Sequence, residues 1–201
     1  MKQKKLTFLS VRSELRDRHI SIFTFEEFRR IFQSSLQVTK YFLETYAKKG
    51  MFVRLKQGLY AFESRMPTAE EIANALYKPS YISFEYALAK YGIIPEIVYT
   101  VTSATTKPSR VFEARDLAFE YHKIKKQAFT GYALIKEQSI RASSMLIAEP
   151  EKALVDYLYF VALGKREWND RIEIKHLKKD KITGYAKLYE RAGLLELIKR
   201  L

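Results

Sequence analysis

The sequence predicts an α+β fold in two parts, and three observations lead to it. Some segments carry apolar residues at helical spacing, while others are short β-branched and aromatic runs. The pattern breaks around Glu63-Ser64-Arg65-Met66-Pro67, which divides the chain into residues 1–66 and 67–201. Charge is also uneven: residues 1–66 hold 14 Lys/Arg against 6 Asp/Glu, and residues 67–201 hold 22 against 17. A hydrophobic content of 47% over 201 residues suffices for a substantial core.

In the first part, Phe8, Leu9, Val11 and Leu15 mark a helix within residues 5–17, and Ile20-Ser21-Ile22-Phe23 a short strand. Thr24 and Glu27 form a capping box for the next helix, with Phe23 placed to staple onto Phe28. Phe25, Phe28, Ile31 and Phe32 make its apolar stripe, leaving Arg29 and Arg30 outside. Gln33 and Ser34 interrupt it, and Ser34 with Gln37 repeats the box ahead of a third helix that runs to about Lys49. Val38, Phe42, Leu43, Tyr46 and Ala47 should face inward there, and Ser35, Gln37, Lys40, Tyr41, Glu44 and Lys48 outward. Gly50 ends this helix. Met51 to Leu55 and Leu59 to Phe62 read as strands joined by Lys56-Gln57-Gly58. Two helices joined by a tight turn and followed by a basic-tipped hairpin are the order of a winged helix-turn-helix.

The second part should be a larger α+β domain with a mostly antiparallel sheet and C-terminal helices. Thr68 and Glu71 announce a helix to about Leu76, and Ser83 caps another through Tyr91, closed by Gly92. Ile97 to Thr102, Val111-Phe112 and Leu117 to His122 read as strands, the first two separated by the turn Lys107-Pro108-Ser109. Further extended segments lie at Gly131–Ile135 and Arg141–Ala148. Pro150 starts a helix with Ala153, Leu154, Tyr157, Leu158, Val161 and Ala162 on one face, ended by Gly164. Tyr185, Leu188, Ala192, Leu195 and Ile198 carry a last helical segment, with Asp180 as its cap and a break at Gly193.

Composition narrows the function classes. With no cysteine, disulfides, thiolate metal sites and cysteine nucleophiles are excluded, which fits a reducing cytoplasm. The basic start, Met1-Lys2-Gln3-Lys4-Lys5, precedes an apolar run cut by Ser10 and Arg12, too short for a signal peptide. No stretch approaches the roughly 20 apolar residues that span a bilayer, so a cytoplasmic location and no membrane partner are expected. The seven glycines form neither GxGxxG nor GxxxxGK. His19, His122 and His176 lack ligand spacing, so no metal and no cofactor is expected.

The basic excess of residues 1–66 suits a polyanion. A recognition helix offers its N-terminal residues to base edges, which singles out Ser34, Ser35, Gln37, Lys40 and Tyr41. Gln37 can pair with adenine, Lys40 with guanine or phosphate, and the serines with phosphate. In the hairpin, Arg54, Lys56 and Gln57 would reach backbone or minor groove. Ordinary solvated side chains are the plainer reading of each. The alternative function is a metal-dependent nuclease delivered by the N-terminal domain, since Glu173-Ile174-Lys175 with Asp156 resembles a sparse carboxylate and lysine pattern. Such triplets recur by chance in a chain with 29% charged residues, and no catalytic residue is assigned.

Pro79 to Leu88, Tyr91-Gly92-Ile93-Ile94-Pro95-Glu96, Val98 to Ser103 and Ile147 to Tyr157, with Phe129-Thr130-Gly131-Tyr132 between them, closely resemble the AbiEi family of antitoxin-type transcriptional regulators. With the Gly50–Tyr60 pattern, the resemblance spans about residues 20–160. It implies a bacterial repressor of its own operon whose winged helix binds inverted repeats in double-stranded promoter DNA. It also implies a C-terminal domain that opposes a nucleotidyltransferase toxin of the AbiEii type, in abortive-infection (type IV toxin–antitoxin) phage defence. Direct contact with the toxin is not implied. Lys123, Lys125 and Lys126 suggest a positive face that would serve DNA, RNA or toxin.

Overall fold

The computed structural model describes residues 6–137 and 143–201, in two compact units, Met1–Thr68 and Ala69–Leu201. Arg141 lies outside the described residues.

The first unit runs α1 (Phe8–Asp17), β1 (Ile22–Thr24), α2 (Phe25–Phe32), α3 (Leu36–Lys48), β2 (Phe52–Lys56) and β3 (Leu59–Phe62). Its antiparallel sheet has the order β1-β3-β2. The capping box at Thr24 is present: Thr24 Oγ1 accepts from the Glu27 amide at 3.1 Å, and the Glu27 carboxylate accepts from the Thr24 amide at 2.7 Å. The Phe23 and Phe28 rings lie 5.6 Å apart, as the staple requires. Val11, Leu15, Phe23, Phe28, Phe42, Leu43, Phe52, Tyr60 and Phe62 form the core. Several of its rings meet edge to face, as at Phe23–Phe52 and Phe52–Phe62, where the positive ring edge meets the negative face, while Phe23 and Tyr60 stack.

Four expectations shift here. Leu9 points to solvent, because the side of α1 that meets the core carries Phe8, Val11 and Leu15. The first strand begins two residues later than expected, where pairing to β3 starts. Ser35, not Ser34, caps α3, its hydroxyl accepting from the Val38 amide at 3.3 Å. Val38 is 46% exposed and Thr39 is buried in its place, because the Thr39 hydroxyl bonds the Ser34 hydroxyl at 2.6 Å.

The second unit contains α4 (Ala69–Leu76), β4 (Ser80–Ile82), α5 (Phe84–Lys90), β5 (Val101–Thr105), β6 (Arg110–Ala114), β7 (Leu117–Lys123), β8 (Tyr132–Glu137), β9 (Ser143–Ala148), α6 (Pro150–Ala162), α7 (Lys179–Lys187) and α8 (Ala192–Lys199). Six strands in the order β6-β7-β5-β4-β9-β8 form a mostly antiparallel sheet, with β4–β9 and β5–β7 parallel. Successive strand residues point to opposite faces, so neighbours in β7 show what covers each. Tyr121 donates to the Ala73 carbonyl of α4, whereas the His122 ring meets Phe84 at the start of α5 and Phe160 in α6. Helices on both faces explain why β4 and β5 are buried along their whole length.

Here too the structure corrects the reading. Ile97 to Thr100 are not strand; β5 starts at Val101, where pairing with β7 begins, and β4 joins from Ser103. Strand β4 had no sequence signal. Ser83 stands at the N-cap of α5, but its hydroxyl donates to Asp156 instead of capping. Helix α6 is buried nearly all round from Glu151 to Leu158, not on one face. The cap position of α7 is Lys178 rather than Asp180, and the chain breaks near Glu190, which has φ of 45°, while Gly193 lies inside α8. Gly131, at φ of 72°, has no room for a side chain, since a Cβ there would stand 2.6 Å from the Tyr185 ring.

Candidate nucleic-acid interface

The turn from α2 to α3 is Gln33-Ser34-Ser35, with Gln33 left-handed at φ of 47°. Ser35 then caps α3 and commits its hydroxyl to that amide. Ser34, tied to Thr39, is half-buried. The side chains after the cap are unlike those of an ordinary solvated helix start: Leu36 is 56% exposed, Val38 46% and Tyr41 74%, with exposed Gln37 and Lys40 among them. At about 100° per residue, Gln37 lies mid-way across this arc, with Leu36 and Lys40 on one side and Tyr41 and Val38 on the other. Phe42, Leu43 and Thr39 take the opposite side into the core.

The hairpin places Arg54 and Gln57 in solvent and leaves Lys56 half-buried. Gly58, at φ of 74°, turns the tip, and its carbonyl accepts from the Phe25 amide at 2.9 Å. That bond fixes the tip to the start of α2. The predicted residues therefore fall into two groups: one arc on α3, with Ser34 withdrawn from it, and one hairpin tip. Sequence reasoning placed Val38 inside, because apolar residues at helical spacing read as core, and left Leu36 unassigned. The competing Ser-Ser cap and the buried threonine were the only local signs of the true register.

In the second unit, Asp156 is fully buried and accepts from the Tyr81, Ser83 and Tyr189 hydroxyls and the Lys152 ammonium. Burial, then the Asp156 charge, holds Tyr81 and Tyr189 well above the usual tyrosine range, so both remain donors. Burial lowers Lys152 against the opposing pull of Asp156. Glu173 and Lys175 are exposed in the loop between α6 and α7. Asp156 is thus enclosed and fully engaged, with no oxygen left to share with them. Among the described residues no group of three or more His, Asp or Glu is placed to hold a metal. Lys123 and Lys126 are exposed, while half-buried Lys125 pairs with Glu190 at 3.6 Å.

An open cleft of about 780 Å³ borders β7 and the end of α6. Arg166 there pairs with Glu85, donates to His122 Nε2 at 2.8 Å, and lies over Phe84. Burial brings Arg166 down to about 10, and burial lowers His122 despite nearby Glu120. These charges are mutually compensated and select no one ligand.

No protein-family model matches the chain, and no curated protein matches it. Among the described residues no helix is long and apolar enough to cross a membrane.

Proposed function

We propose that the protein is a DNA-binding transcriptional repressor and the antitoxin of a bacterial toxin–antitoxin operon. In this reading the first unit is a winged helix-turn-helix, with α2 and α3 as its helix pair and β2–β3 as its wing. What supports it most is the start of α3: Leu36, Gln37, Lys40 and Tyr41 project from the first two turns of a helix in a segment with a net charge of +8. A helix presented N-terminus first suits the major groove, and Arg54 and Gln57 suit the flanking backbone. Opposition to a nucleotidyltransferase toxin rests on the AbiEi resemblance, and the second unit is its seat.

Binding is tested by fluorescence anisotropy of the full chain on the promoter fragment upstream of its own gene. Gln37→Ala should cost about 1–3 kcal/mol on that fragment and little on random duplex. Arg54→Ala should weaken both alike and reduce the slope of log affinity against log salt by about one unit. Equal losses for Gln37→Ala on both DNAs would remove it from base reading. Coexpression with the neighbouring toxin gene tests the antitoxin role, with growth rescue as the expected result.

A further inference from the structure

We infer that α3 selects A·T-rich steps, reading thymine 5-methyl groups by apolar contact through Leu36 and Val38. This rests on the proposed entry of α3 into the major groove. Isolated exposed apolar residues are ordinary on protein surfaces, but Leu36, Val38 and Tyr41 lie within six residues on two helical turns. They are confined to the end of α3 that would face base edges. The following exposed positions are Glu44 and Lys48 on this helix and Lys49 just after it. The Glu44 carboxylate would repel phosphate, so it marks where the contact face stops.

Duplex DNA fits this face better than a protein surface does, because its exposed apolar side chains are few and basic Lys40 stands among them. In the major groove the thymine methyl is the apolar feature that side chains contact. Gln37, between the two aliphatic side chains, carries the amide that pairs in two places with adenine. Both chemistries therefore select the same base pair. The three side chains would bury apolar area only on binding.

The test uses the full chain and four 24-base-pair duplexes at one salt concentration: alternating dA·dT, dA·dU, dG·dC and dG·5-methyl-dC. Removing the methyls should weaken binding about threefold to fourfold per methyl contacted, so dA·dU should bind about tenfold more weakly than dA·dT. Methylating cytosine should recover part of that loss on the G·C duplex. L36A/V38A should bind dA·dT no better than dA·dU; circular dichroism checks that it folds. The thymine-to-uracil comparison needs no variant. Equal binding to dA·dT and dA·dU by a chain that binds duplex DNA would overturn methyl reading and leave the proposed function standing. Binding to none of the duplexes or to the promoter fragment would overturn both. Dissociation of an oligomer by L36A/V38A, seen by light scattering, would assign the face to a second copy of the chain instead.

Discussion

Helices α3 and α6 are both 13 residues long and depart from ordinary helix patterning in opposite directions. On α3, apolar Leu36, Val38 and Tyr41 lie outside; on α6, charged Lys152 and Asp156 lie at zero exposure. The inward departure is satisfied within the chain. Lys152 and Asp156 pair one turn apart, and three hydroxyls from β4, the start of α5 and the residues after α7 complete the carboxylate. The outward departure has no comparable partners. A buried polar group must find its partners in the fold, because water cannot reach it. An exposed apolar group pays no such penalty, and a cluster of them gains only when something else covers it. The first pattern concerns the protein's own architecture, and the second concerns what it meets.

The sharpest way to break this comparison is Asp156→Ala, which leaves a buried ammonium and three hydroxyls without their acceptor. It should destabilise the second unit by about 3–5 kcal/mol, read from urea unfolding of the full chain. The paired change Lys152→Met with Asp156→Leu should recover most of that loss, since an apolar pair needs no partners. An unchanged midpoint for Asp156→Ala would mean that the network contributes nothing to stability.

Gly131→Ala should come next, at about 1–3 kcal/mol, because the new methyl meets the Tyr185 ring at a left-handed backbone position. Calorimetry would detect it as a lower transition temperature for the second unit. In the first unit, Thr24→Ala removes the capping hydroxyl and should cost about 1 kcal/mol, measured by urea unfolding of the full chain followed by circular dichroism. A cost near zero would assign that helix start to the Phe23–Phe28 staple alone.

At the small end, Leu36→Ala and Tyr41→Ala should change stability by no more than about 0.5 kcal/mol, the outcome that separates an outward face from a core one. A loss of 2 kcal/mol or more would show that these side chains pack within the protein. His122 supplies a pH-dependent contrast. Burial lowers its folded pKa below the usual value near 6.5, so the unfolded chain takes up the proton first as pH falls. Stability contributed by neutral His122 should therefore be complete above about pH 6.5 and decline below it. His122→Phe should flatten that decline in a series of denaturation midpoints from pH 7.5 to 5.5.

What the sequence determined by itself is local. The Thr24–Glu27 box, the Phe23–Phe28 staple, the turn at Gly58, the start of α6 at Pro150 and its end at Gly164 depend on residues at most five positions apart. Their partners are visible in any short window. Tertiary structure decided the rest. Ile97 to Thr100 have strand composition, but a strand also needs neighbours, and these exist only from Val101 onward. Ser83 has a capping side chain, yet Asp156, 73 positions away, takes its hydroxyl. Thr39 displaces Val38 from the interior because a second hydroxyl at Ser34 allows it to be buried without loss of its hydrogen bond. In each case burial and pairing with a particular partner outweighed a local preference of about 1 kcal/mol or less, and that partner is positioned only when the chain closes on itself.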